Sequence, residues 1–148
     1  NQTDVLYGET WLVDESRHPH GTMSELSTRQ VPNHLTWKKY REGMLVVHQS
    51  FLPRRSLAPL YDLSAGLCAD FDWCISILKK SRKNTHVDGI ITDYLMGGLS
   101  KKRHQQSLNE RFAVMQRHFG LFPTLWAHGW IVLRAGLHRL KRWGKERY

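Results

Sequence analysis

The sequence predicts an α/β domain with a small mixed sheet and flanking helices, and three patterns carry that prediction. Residues 4–13 and 85–95 are rich in β-branched and aromatic side chains and read as strands. Between them, Phe71, Cys74, Ile75 and Leu78 recur at i, i+3, i+4 and i+7, one face of a helix over Ala69–Ser81. The unbroken apolar run Met44–Val47 reads as a further buried strand that ends at His48.

The remaining elements follow in chain order. The first strand, Asp4–Val13, contains Gly8, so it reads as one strand or as two broken there. Residues 14–35 carry charge, Pro19, Gly21 and Pro32, and read as a loop with little regular structure. Thr36 stands at the cap position of a short helix, Trp37–Arg41, closed by Glu42-Gly43. Phe51–Arg55 continues extended through Pro53, and Ser56–Tyr61 reads as a short helical turn. Lys79, Lys80, Arg82 and Lys83 cluster where cations complement the C-terminal dipole of the 69–81 helix. After the late strand come a Gly97-Gly98 turn and the basic stretch Lys101-Lys102-Arg103. Ser107-Leu-Asn-Glu110 has the form of a capping box opening a helix that ends at Gly120, and a last helix fills 124–143.

Composition bounds the function classes. A chain of 148 residues with 41% hydrophobic and 11% aromatic content can bury the core of one ordinary domain, which excludes wholesale disorder. The net charge is +9, and residues 134–147 carry +5 of it, with six basic side chains against Glu146 alone. That concentration points to an anionic surface as partner, either lipid headgroups or nucleic acid. Cys68 and Cys74 lie six apart in an apolar context, a spacing of neither a zinc knuckle nor a redox pair, and read as small buried hydrophobes. No apolar run approaches the ~18 residues that span a bilayer. His18, His20 and His34 lack metal-ligand spacing, so no metal site is expected in the chain. It begins at Asn1 and enters a strand almost at once, which reads as a piece with something missing upstream.

The chemistry-bearing residues gather between His48 and Trp73. The segment reads H-Q-S-F-L-P-R-R, then a polar connection, then Y-D-L-S-A-G-L-C-A-D-F-D-W. Asp70 and Asp72 point about 200° apart on a helix, whereas Asp70 shares a face with Trp73 at i+3. On the residues alone, Asp70 is a helix cap or a general base, and His48 a structural or a ligand-binding imidazole. Arg54 and Arg55 either meet a phosphate or lie solvated, and Gly97-Gly98 alone makes an ordinary turn.

This pattern resembles the acceptor-side half of family 2 glycosyltransferases, inverting nucleotide-sugar enzymes with the GT-A fold that build bacterial polysaccharides and glycolipids. In that family H-Q-x-x-F-x-x-R-R follows an apolar strand, and D-[FY]-D-[WL] comes some twenty residues later. The resemblance covers residues 4–120 and implies a partial GT-A fold whose N-terminal nucleotide-binding half is absent. It implies Asp70 as catalytic base, although Ala69 stands where many members carry a preceding acid. It places His48, Gln49, Asp72 and Trp73 at the acceptor, and Arg54, Arg55, Gly97, Gly98 and Ser100 (the last three in G-G-x-S) at the donor diphosphate. Asp70-Phe71-Asp72 spells D-x-D, but Ser64-Ala65-Gly66 precedes it rather than a long apolar strand, so it is not read as the metal site. The resemblance assigns a divalent metal, Mg or Mn, to a D-x-D motif in the missing half.

Two units result, 1–120 as the acceptor-side half and 121–148 as a basic amphipathic C-terminal helix. On that helix Trp126, Trp130, Leu133, Leu137 and Leu140 form one stripe about 80° wide. Arg134, His138, Lys141, Arg142 and Lys145 lie on its flank, a pattern that fits the plane of a membrane interface. The expected partners are therefore a nucleotide-sugar donor, a glycan or lipid-linked acceptor and an anionic membrane surface, on the cytoplasmic face of the inner membrane. The alternative is a stand-alone basic module that grips nucleic acid. Such a module interleaves aromatic and basic residues on one surface, whereas here the tail aromatics segregate from the charge. Nucleic acid is accordingly not expected as a partner.

Overall fold

The computed structural model describes residues 2–97 and 103–143, apart from the side chains of 135 and 138–143. Its sheet is organised on β1 (Val5–Val13), a single strand that runs straight through Gly8. β2 (Pro19–Thr22) and β3 (Phe51–Pro53) share one edge of β1, both antiparallel, at Trp11–Val13 and at Val5–Tyr7 respectively. β4 (Asn84–Leu95) runs parallel to β1 along the other edge, so the sheet is mixed and open. β4 uses twelve residues against the nine of β1, because its register slips between Tyr7 and Glu9 and again before Thr10. Gly8 permits the first slip. A Cβ there would sit 2.9 Å from the Val87 carbonyl oxygen and 2.9 Å from Ile91 Cδ1.

Among the described residues, four α-helices flank the sheet. α1 (Met23–Leu26) is one turn, α2 (Ala69–Leu78) lies in the core, and α3 (His104–Phe119) packs beside it. α4 (Leu121–Trp143) follows α3 across Gly120. The expected apolar face of α2 is buried, with Phe71, Cys74, Ile75 and Leu78 all at most 3% exposed. These side chains meet Val5, Tyr7 and Phe51 from the sheet, Tyr40 from the 3-10 turn Trp37–Glu42, and Val114 and Met115 from α3. Burial of both thiols accompanies this packing and pushes the Cys68 and Cys74 pKa values up.

Several local expectations are corrected. Residues 14–35 are not wholly irregular, since they contain β2 and α1. α1 starts with a reciprocal capping box: Thr22 Oγ1 accepts the Glu25 N–H at 3.2 Å, and Glu25 Oε2 accepts the Thr22 N–H at 2.7 Å. Leu45–Val47 is buried as expected, with Met44 partly so, but the run forms no strand, because no neighbouring strand offers it a ladder and it passes into the 3-10 turn His48–Ser50. Thr36 starts the Trp37 turn without a side-chain capping bond. The short turn expected at Ser56–Tyr61 falls at Arg55–Leu57. α3 begins at His104, three residues before the expected start at Ser107. Ser107 is buried inside the helix, and Glu110 is drawn away to accept the Leu67 N–H at 2.6 Å. Gly97 turns with φ 93° after β4. Gly98, Ser100, Lys101 and Lys102 lie outside the described residues.

α4 begins at Leu121, three residues before the expected start at 124, and docks through a face other than its apolar stripe. Thr124 is fully buried and Ala127 is 8% exposed, with His128, Ile131 and Arg134 continuing the inner face. Trp126 is 82% exposed, and Trp130, Leu133 and Leu137 are about half exposed on the opposite side. No helix among the described residues is long and apolar enough to cross a membrane.

Candidate active site

A cavity of about 620 Å³ opens where the N-terminus of α2, the start of α3, the 44–49 segment and the chain just after α1 converge. The backbone leading into α2 is set by Gly66, at φ 58° and ψ −128°, a combination that side-chain-bearing residues avoid. The Glu110 carboxylate lies 2.5–2.7 Å from where a Cβ of residue 66 would stand, and its bond to the Leu67 N–H ties the turn to α3. Cys68 takes the N-cap position, so Asp70 falls in the first turn of the helix rather than at its cap. There the helix N-terminus favours a carboxylate.

Asp70 uses both oxygens. Oδ1 accepts the Phe71 N–H at 2.7 Å, and Oδ2 lies 3.0 Å from Nδ1 of His48. The two side chains are 29% and 34% exposed, and both line the cavity, as does Gln49. His48 is held there by its own 3-10 turn. Ser50 is fully buried and donates to the Glu9 carbonyl at 3.2 Å, while the Thr10 and Ser50 hydroxyls meet at 2.6 Å. These bonds fasten the His48–Ser50 turn to the middle of β1.

Asp72 faces elsewhere. Its Oδ1 bonds His118 Nε2 at 2.6 Å and pairs with the Arg117 guanidinium at 3.0 Å. Burial outweighs the opposing bond to Asp72 and lowers the His118 pKa below its ordinary value. Arg117 also reaches Asp62 at 2.7 Å. Hydrogen bonds from Ser64 and then Arg117 draw the Asp62 carboxyl down to about 2. Asp72 therefore joins α2 to α3 and does not line the Asp70 cavity. Trp73, expected as an aromatic platform beside Asp70, turns instead to the 51–61 connection. Its indole N–H donates to the Pro59 carbonyl at 2.8 Å, its ring stacks on Tyr61 at 5.1 Å, and Phe51 meets it edge-on.

The arginines assigned to a diphosphate are not at the cavity. Arg54 pairs with Asp4 at 3.3 Å and donates to the Thr3 carbonyl at 3.2 Å. Arg55 donates to its neighbour Ala58 at 3.3 Å. Among the described residues, Arg29 and Arg111, which sequence reasoning missed, line the cavity, as do Tyr94 and His104. Neither arginine carried a local signal: Arg29 sits in a polar connection, and Arg111 sits among the polar residues of an ordinary helix. Among the described residues, no group of three or more His, Cys, Asp or Glu side chains is arranged to hold a metal ion. Comparison with protein-family models, with curated proteins and with solved structures found no match for this chain.

Proposed function

We propose that the chain is the acceptor-side half of an inverting, GT-A-type glycosyltransferase in which Asp70 is the general base. The observation that carries this reading is the Asp70–His48 contact at the wall of the cavity. One carboxylate accepts a backbone N–H, lies 3.0 Å from an imidazole nitrogen and borders the open space. In the reaction, the acceptor hydroxyl donates its hydrogen to Asp70 as its oxygen bonds the anomeric carbon. The bond from that carbon to the diphosphate oxygen breaks, and the departing diphosphate takes the electron pair. A positioned base contributes about 10²–10⁴ in rate to such a step. Gln49 beside His48 suits the remaining hydroxyls of an acceptor sugar. The divalent metal of this family supplies charge stabilisation to the leaving diphosphate, and the resemblance assigns it to a motif outside this chain.

The sheet supports the reading of a half-fold. A parallel pair is ordinarily covered on both faces, yet β4 has no buried residue and exposes Val87, Ile90 and Leu95 at 37–53%. A further layer against β4 would bury them. The experiment that tests the reaction class is transfer by full-length protein from a panel of nucleotide sugars, with product configuration read by NMR. Inversion at the anomeric carbon is expected. Retention, or no consumption of any nucleotide sugar, would contradict the proposal.

We further propose that the outer stripe of α4 rests on an anionic membrane surface. The support is that Trp126, Trp130, Leu133 and Leu137 point outward while a different face holds the helix to the body. The flanking residues His138, Lys141, Arg142 and Lys145 lie outside the described side chains. Basic side chains add about 1 kcal/mol each near anionic lipid, screened by salt. Because Thr124 and Ala127 belong to the docked face, deleting the helix would also open the core. Trp126→Ser with Trp130→Ser is therefore the cleaner variant. Wild-type protein is expected to cosediment with anionic but not neutral vesicles, and the double variant to remain in solution. Equal binding to neutral vesicles would sink this role.

A further inference from the structure

Arg29 and Arg111 enter the Asp70 cavity from different elements, the connection after α1 and the middle of α3. Among the described residues, neither guanidinium pairs with a carboxylate. The acid next to Arg111 in sequence, Glu110, is committed to the Leu67 N–H and to Gln106, and the acid nearest Arg29, Glu25, accepts the Thr22 N–H. Arg111 lies over the Phe71 ring at 5.5 Å, which fixes the plane of its fork, and its Nε is buried without a hydrogen-bond partner. Arg134 approaches the same cluster. It donates to the Glu42 carbonyl at 3.2 Å, and its Nε is likewise buried and unpartnered. Burial first, then Arg111 and Arg134, pull the Arg29 pKa down to about 10. Buried cationic forks with no carboxylate paired to them are costly unless an anion completes them.

We propose that Arg29 and Arg111 form a phosphoryl-binding subsite within the Asp70 cavity, so that the substrate held there carries a phosphate group. Two guanidinium forks match a phosphoryl group, with three acceptor oxygens and a charge of about −1.5 to −2, better than they match one carboxylate. Both residues lie outside the H-Q-x-x-F-x-x-R-R and D-F-D-W segments, and Arg54 and Arg55 of the first segment lie away from the cavity, so the subsite gives the phosphoryl contact to residues that those motifs do not include. In assigning the phosphate to a transferase substrate the inference rests on the reading of Asp70 above, but the subsite itself is tested by binding alone.

The phosphate has two possible carriers, the departing nucleotide and the acceptor, and the probes separate them. Full-length protein would be titrated calorimetrically with UDP and, separately, with glucose 1-phosphate. At least one should bind saturably, and Arg29→Gln should weaken that binding about tenfold or more. Arg29 makes no side-chain hydrogen bond among the described residues, so this variant should fold. Arg111→Lys, which keeps charge but loses the fork, should weaken the same probe. Lys80→Gln, an exposed change at the end of α2, should leave it unaltered. Loss confined to UDP assigns the phosphate to the nucleotide, loss confined to glucose 1-phosphate assigns it to the acceptor, and loss of both means both groups use the subsite. Wild-type affinity in both arginine variants, or no binding of either probe to wild type, overturns the subsite. Asp70→Asn should leave phosphoryl binding intact, so failure of the base assignment and failure of the subsite are read separately.

Discussion

Asp70 and Asp72 share the first turn of one helix yet answer to different neighbours. The 200° between them sends Asp70 to His48 and the cavity, and Asp72 to Arg117 and His118 in the seam between α2 and α3. Their substitutions should separate accordingly. Asp72→Asn removes a charge from a largely buried hydrogen-bonded group, and a loss of about 1–3 kcal/mol is expected in urea denaturation. The exposure of Arg117, at 46%, keeps the loss below that of a fully buried ion pair. Turnover per folded molecule should be nearly unchanged in this variant. A collapse of turnover at wild-type stability would move the base from Asp70 to Asp72.

At the scale of elements, the turn before α2 is the most demanding piece of backbone. Gly66→Ala puts a methyl group into the Glu110 carboxylate and forces a conformation that costs about 1–3 kcal/mol on its own. Because this turn aims Asp70, the variant should lower both the unfolding midpoint and kcat. Unchanged stability would mean that Glu110 does not brace the turn. The elements that repeat a period over many residues were legible in the sequence. The buried face of α2 and the C-terminal helix follow from such repeats, whereas β1 and β4 follow from their content of strand-forming residues. Met44–Val47 was not, because an apolar run registers burial and carries no information about a partner strand. Two S/T-x-x-E matches competed as well: Thr22–Glu25 forms the box, while Ser107–Glu110 is overridden by the long-range bond of Glu110 to Leu67. Within the site, the sequence brought His48, Gln49 and Asp70 together. Arg29 and Arg111 reach the same cavity by tertiary convergence, which leaves no trace in local spacing.

Across the whole molecule, Asp4 ties the two ends of the sheet together. Its carboxylate accepts the Arg82 and Lys83 N–H groups at 2.7 and 3.1 Å at the entry to β4, and it pairs with Arg54 beside β3. The Arg82 and Lys83 bonds are the leading causes that lower its pKa below the ordinary 3.8. A carboxyl lowered on folding contributes stability that is present above 3.8 and is lost as pH falls through the depressed folded value. Asp4→Asn should therefore lower the unfolding midpoint at pH 7, and the gap to wild type should close in strong acid; a gap independent of pH would argue against this role. The half-fold reading joins this frame to the chemistry, since the same β1 that carries β4 also anchors the His48 turn against Asp70. The central claim is that the Asp70 carboxylate removes the acceptor proton. Its most direct test is to measure kcat and donor Kd side by side for wild type and Asp70→Asn in the full-length protein, with the nucleotide sugar that wild type consumes. The account predicts a fall in kcat of about 10²–10⁴ with donor Kd unchanged. A variant that retains wild-type kcat, or that loses donor binding in proportion to rate, would contradict it.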